Sequence, residues 1–135
     1  MRRAFALPCL LLSTLALTAC GTSVSTAGFK GEQHEVAQTI SNLQADATAA
    51  EQSKICADDL AASVVRKLGG TKGCEATIKS QLAQVDSLEV SVKSVQVATD
   101  ASTATAQVKS IHEGKSRASA VSLVKEGGKW KVSGL

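Results

Sequence analysis

The side chains of this chain that are best suited to chemistry are its four cysteines, because a thiol can be acylated, oxidised to a disulfide or bound to a metal. They are Cys9, Cys20, Cys56 and Cys74. The two histidines, His34 and His112, share no ligand-like spacing with a cysteine, so the sequence predicts no metal site. There is also no Gly-x-Ser-x-Gly nucleophile elbow and no glycine-rich phosphate loop, so we predict no cofactor and assign no catalytic residue.

The first of these chemistries belongs to the N-terminal segment. Arg2 and Arg3 precede an apolar core over residues 4–17, which has the layout of a secretory signal and is too short to span a bilayer. The segment ends in Leu17-Thr18-Ala19-Cys20. This ending resembles the lipobox of bacterial lipoproteins, in which the cysteine is acylated and becomes the new N-terminus.

That resemblance implies a signal peptide over residues 1–19 and acyl chains, such as palmitate, attached at Cys20. Two or more chains anchor a protein stably, so the expected location is the cell membrane at its extracytoplasmic face, in the cell envelope. The other interpretation is an ordinary secreted protein that is cut after Ala19 and keeps Cys20 as a free thiol.

The charge balance restricts the choice of partners. Removal of Arg2 and Arg3 would reduce the formal net charge from +3 to +1. A nearly neutral chain is a poor match for nucleic acid, so none is expected as a partner. The expected partners are the membrane, through the lipid at Cys20, and a small apolar ligand or an envelope protein.

The remaining cysteines predict a covalent link. If Cys9 leaves with the signal and Cys20 carries lipid, Cys56 and Cys74 form a pair in an oxidising compartment, where a disulfide is expected. Closing this loop would stabilise the fold by about 3 kcal/mol in the chain-entropy model. The alternative is two buried free thiols on helix faces.

Helical periodicity dominates the first half of the chain after a flexible tether over residues 20–33, and we place the domain at residues 34–135. The predicted helices cover residues 32–52, 53–68 and 74–85. Cys56 and Cys74 fall near the starts of the second and third helices. In a simple antiparallel hairpin these positions would lie about 18 Å apart, so a disulfide requires the chain to turn back or the two helices to cross.

The second half alternates with a period of two and predicts four strands, over residues 88–97, 102–112, 117–125 and 130–132. In the first strand the apolar face shifts across Lys93-Ser94, which indicates a β-bulge. The connections are short, and Gly127-Gly128 is typical of a tight hairpin, so the strands should pair antiparallel.

Three features carry a resemblance to the cone-shaped superfamily of nuclear transport factor 2, ketosteroid isomerase and cystatin-like folds. They are the apolar stripe of the first helix, Ile55-Cys56 with Gly73-Cys74-Glu75, and the ending 123–132 with its Gly-Gly-x-Trp-x-Val pattern. The cysteine pair looks like that of small actinobacterial lipoproteins with this domain. The resemblance implies an α+β fold, with N-terminal helices packed on a curved antiparallel four-stranded sheet around a cavity.

Two classes of function fit these features. The first is a noncatalytic binding or interaction module, with Trp130 either in the core or as the wall of an apolar cavity. The second is a small cavity enzyme of ketosteroid-isomerase or polyketide-cyclase type, which needs a carboxylate base and an oxyanion donor. The chain has no tyrosine to act as that donor. The candidate bases, each also explained as a solvated helix residue, are Asp46, Asp58, Asp59 and Asp86.

The lipid anchor predicts a specific effect of Cys20→Ala. The variant should be released from membranes or should keep its signal, because no acyl chain can be attached at that position. Metabolic labelling with a clickable fatty acid should mark the wild type and leave the variant unmarked. A wild type that takes up no label and fractionates away from membranes would contradict the lipoprotein interpretation.

Overall fold

A computed structural model describes residues 24–85 and 89–135 of the chain. The signal peptide, Cys20 and Asp86 therefore lie outside the described residues. The fold is α+β, with helices followed by a four-stranded antiparallel sheet, as the sequence predicts. The helices are α1 (Glu32–Thr48), α2 (Gln52–Lys54), a π-helical turn (Ile55–Asp59), α3 (Ala62–Lys67) and α4 (Gly70–Leu82), and the strands are β1 (Glu89–Val97), β2 (Thr103–His112), β3 (Lys115–Glu126) and β4 (Lys129–Gly134).

Helix α1 packs its apolar stripe onto the sheet. Val36, Ala37 and Ile40 on that stripe are buried. The helix ends at Thr48, earlier than predicted, because Ala50 has a positive φ of 55° and the N–H of Glu51 donates back to the carbonyl of Asp46. Alanine-rich composition alone therefore overestimates the length of this helix.

The predicted second helix is interrupted in the middle, and the reason is contact with the sheet. Leu60 forms a parallel bridge with Val132, and the N–H of Ala61 donates to the carbonyl of Val132 at 2.8 Å. The segment therefore leaves helical geometry to pair with the exposed edge of β4. Beyond the break, the carboxylate of Glu126 accepts a hydrogen bond from the N–H of Ala62 at 3.2 Å, which satisfies a free donor at the start of α3.

A disulfide joins Cys56 and Cys74, with their Cα atoms 6.1 Å apart. The prediction of this bond is confirmed, and the break at Leu60 removes the geometric objection to it. Helix α4 also begins at Gly70, so that Cys74 lies in its second turn and α4 packs against α2, the π-helical turn and α3. A side chain at Gly73 would overlap the carbonyl oxygen of Leu68, so this close return of the chain requires glycine.

The sheet is a meander in the order β1-β2-β3-β4. The register of β1 against β2 shifts between Val92 and Ser94, which confirms the predicted bulge. Gly127 and Gly128 connect β3 to β4 with φ angles of 57° and 78°, the geometry that a two-residue hairpin with right-handed strand twist needs.

The core lies between α1 and one face of the sheet. This inner face carries alternate residues of each strand. In β3, however, every residue from Lys115 to Ala120 is exposed, so the outer part of the β2–β3 hairpin extends beyond the core. The buried inner-face residues are Val95, Ala104, Ala106, Val108, Val121, Leu123, Trp130 and Val132.

Trp130 connects the last hairpin to the start of α1. Trp130 is 4% exposed, and its indole N–H donates to the carboxylate of Glu32 at 2.7 Å. Lys125 lies 5.5 Å from the ring centre and donates to the same carboxylate at 2.6 Å. These hydrogen bonds from Lys125 and Trp130 hold the pKa of Glu32 below its usual value.

Part of the expected tether lies against the domain. Val24 is buried, and Phe29 packs against the core. Within the described residues no helix is both long and apolar enough to cross a membrane.

Replacing both cysteines by serine, as Cys56→Ser with Cys74→Ser, should lower the free energy of unfolding by about 3 kcal/mol, because the unfolded chain regains the entropy that the disulfide removes. Urea denaturation measures this difference. The intact mass of the wild type should rise by two hydrogens on reduction. Uptake of two equivalents of a thiol alkylator by the unreduced, denatured protein would show that the bond is absent.

Candidate functional site

An apolar cavity of about 320 Å³ lies between the C-terminal half of α1 and the inner face of the sheet. This volume is near the lower limit of the roughly 300–1,000 Å³ that small-molecule sites occupy. Its lining combines residues from one helix and three strands with the last residue of the chain. The lining residues are Ile40, Leu43, Gln44, Ala47, Val90, Val108, Ser110, Ser119, Val121 and Leu135.

Short side chains on the strands leave this space open. Val108 and Ser119 are directly paired across β2 and β3, and Ser110 lies two residues from Val108 on the same face. None of these side chains reaches as far as the leucines or tryptophans that fill most cores. No lining side chain is ionisable, and Gln44, which is buried, and the two serines supply its polar side-chain groups. An apolar group in the cavity therefore buries no charged side chain.

A second, polar cleft of about 420 Å³ lies on the other side of α1, between this helix, the π-helical turn and the start of β4. Exposed polar side chains of α1 form one of its walls. Its lining residues are His34, Glu35, Gln38, Thr39, Asn42, Asp58, Asp59, Gly128, Lys129 and Trp130.

Asp59 is the unusual group in this cleft. It is 4% exposed, and its Oδ2 is buried with no hydrogen-bond partner among the described residues. Burial, together with the nearby carboxyl of Asp46 and the charge of Asp58, raises the pKa of Asp59 from 3.8 to about 7, although Lys131 acts in the opposite direction. A carboxyl with such a pKa can exchange a proton near neutral pH.

The structure therefore brings three of the predicted carboxyls together, but not in the apolar cavity. Asp46, Asp58 and Asp59 lie near or in the polar cleft, and Asp86 lies outside the described residues. Trp130 is a core residue that also borders the polar cleft. It is not among the residues that line the apolar cavity, and the idea that a ligand packs against it stays a prediction.

The two histidines lie at different clefts of the fold. His34 borders the polar cleft, whereas His112 lies at the outer end of the β2–β3 hairpin. The part of the chain that the structure describes contains no group of three His, Cys, Asp or Glu side chains that could hold a metal ion. Sequence reasoning missed Gln44, Ser110 and Ser119 as cavity residues, although small residues at alternate strand positions were a usable signal.

Comparisons with known proteins give no identification. No protein-family model matches the chain, and no curated protein matches it. A crystal structure of the intermembrane space region of the chloroplast protein ARC6 is similar over 78% of this chain and 95% of that one, with 12% sequence identity and a TM-score of 0.45. Similarity at this level carries no argument about function.

The raised pKa of Asp59 predicts an unusual pH dependence of stability. Between about pH 4 and pH 7 the folded protein holds a proton on Asp59 that the unfolded chain has already lost, so this group makes the free energy of unfolding fall as pH rises. Asp59→Asn should remove this fall, and at pH 8 the variant should be the more stable protein, by at most about 4 kcal/mol.

Urea denaturation at several pH values measures this effect. Asp58→Asn is the matched control, because it removes the same charge from the neighbouring exposed position and should change the profile less. Parallel profiles for the wild type and Asp59→Asn would contradict the assignment.

Proposed function

We propose that this protein is a noncatalytic binding module of the cell envelope, attached to the membrane by lipid at Cys20, and that its ligand is apolar. The cavity between α1 and the sheet supports the binding role, and the N-terminal motif supports the location. In this proposal the sheet and helices form a cone of the nuclear transport factor 2 type, and the apolar cavity is the open part of that cone.

The lining of the cavity is the observation that carries this proposal. Each Å² of apolar surface that a ligand buries there contributes about 25 cal/mol, and no charged side chain must lose water in the process. Leu43 and Ala47 on α1 are only partly buried by the domain itself and pack against its core. A ligand in the cavity would complete the burial of these side chains.

The enzyme alternative, an isomerase or cyclase, is supported by Asp59, whose pKa of about 7 suits a general base. Its geometry is less favourable. The base faces a polar cleft, whereas a steroid-like or polyketide-like substrate would occupy the apolar cavity. The indole N–H of Trp130, which borders the same cleft, is already bonded to Glu32. We therefore favour binding without catalysis.

Binding can be tested with N-phenylnaphthylamine, a neutral fluorophore that brightens in apolar sites. The protein should carry Cys20→Ser and be purified without detergent, so that no attached acyl chain or micelle competes. Ser119→Phe should weaken binding at least about tenfold, because the ring occupies the cavity.

Ala120→Phe is the matched control, since it adds the same ring one residue along β3, on the outer face of the sheet. It should bind like the parent protein. Equal binding by both phenylalanine variants, or no binding by the parent, would contradict the proposed function. Asp59→Asn should also leave binding unchanged, since Asp59 does not line the cavity.

A further inference from the structure

A second space lies at the outer end of the β2–β3 hairpin and shares the lining residue Ser110 with the apolar cavity. Val108, Ser110 and His112 lie on one face of β2, because they are alternate residues of a strand. Ser110 borders both the cavity and a neighbouring cleft of about 420 Å³. The residues that line this outer cleft are Ser110, His112, Glu113, Lys115, Ser116 and Arg117.

The register of the hairpin places two cations on the same face. Ser110 is paired with Arg117, and His112 is paired with Lys115. Residues directly opposite in an antiparallel pair project from the same face, so Arg117 and Lys115 follow Ser119 along the inner side of the sheet. The four residue steps from Ser119 to Lys115 span about 14 Å. Within this distance the inner face changes from apolar to cationic.

The cations of this outer cleft are available to a ligand. Lys115 and Arg117 are exposed, and neither forms an ion pair with any other described residue. Glu113, in the turn, is the one acidic residue on the lining of this cleft. Lys115 and Arg117 therefore give the lining a net positive charge. The Nε2 atom of His112 is shielded from solvent and has no hydrogen-bond partner among the described residues. Imidazole nitrogen and guanidinium can both donate hydrogen bonds to an anionic oxygen.

We infer that the ligand is an amphiphile with an acyl chain and an anionic headgroup. This inference rests on the proposed binding function and names its ligand class. The chain lies in the cavity between α1 and the sheet, and the headgroup lies against Arg117 and Lys115, with His112 beside it. The complementarity is specific, because a neutral chain leaves the cations unused and a free anion leaves the cavity empty.

A matched pair of ligands tests the charge requirement. Dodecanoate and dodecanol have the same chain and differ in the headgroup, and each can displace N-phenylnaphthylamine from the Cys20→Ser protein. Dodecanoate should displace the fluorophore at lower concentration than dodecanol. Lys115→Gln with Arg117→Gln should weaken the binding of dodecanoate about tenfold. The affinity for dodecanol should stay within about twofold of the parent value.

The control variant, Lys79→Gln with Lys109→Gln, removes the same charge from exposed positions outside the cleft, on α4 and on the outer face of β2. It should retain the preference for dodecanoate. Added salt should weaken the binding of dodecanoate to the parent protein more than that of dodecanol, because Lys115 and Arg117 are solvent-exposed.

Other results separate the inference from the proposed function. The two ligands could displace the fluorophore equally well, with displacement abolished by Ser119→Phe. This result would support the binding function and contradict the requirement for an anionic headgroup. Binding of inorganic phosphate as tight as that of dodecanoate would show an anion site independent of the cavity and would also overturn the inference. Dimers that exclude the fluorophore, seen by analytical ultracentrifugation, would assign the cavity to a second copy of this chain. If the fluorophore binds neither the parent protein nor any variant, both the proposed function and this inference are contradicted.

Discussion

The central constraint in this molecule is a difference in length between a helix and the sheet that it covers. Helix α1 has 17 residues and spans about 25 Å, whereas β3 has 12 residues and spans about 40 Å. One helix of this length cannot cover the whole inner face. Where α1 covers the inner face of the sheet, the two form the core. The apolar cavity lies at the C-terminal end of the helix, and the uncovered part of the inner face carries the cations of the β2–β3 hairpin.

Much of the fold could be predicted because local patterns and tertiary packing agree in the sheet. The alternation of β1 and its phase shift indicate a bulge, and the strand pairing has it between Val92 and Ser94. The helix around Cys56 was predicted less well, because its apolar spacing continues through Leu60. The free edge of β4 interrupts that helix by pairing with Ala61, and a contact between residues so far apart leaves no local signal.

The candidate site was harder to predict than the fold. Residue type favours the carboxylates and Trp130, and these gather near the polar cleft on the far side of α1. The apolar cavity is instead defined by short side chains on its strands and by a lining without charged side chains. Ser110 and Ser119 have no chemistry that would single them out, and their importance depends on register, which brings them beside Val108 and Arg117. Such a site becomes visible only when strand pairing is known.

The most direct test of this account is to locate a bound chain by nuclear magnetic resonance. Isotope-filtered nuclear Overhauser effects between dodecanoate and the Cys20→Ser protein report which methyl groups the ligand touches. If the chain lies in the cavity, the terminal methyl of the ligand should contact Leu43 and Val121, both of which line the cavity. Contacts to Thr39 and Trp130 in the polar cleft, with none to the cavity methyls, would contradict it.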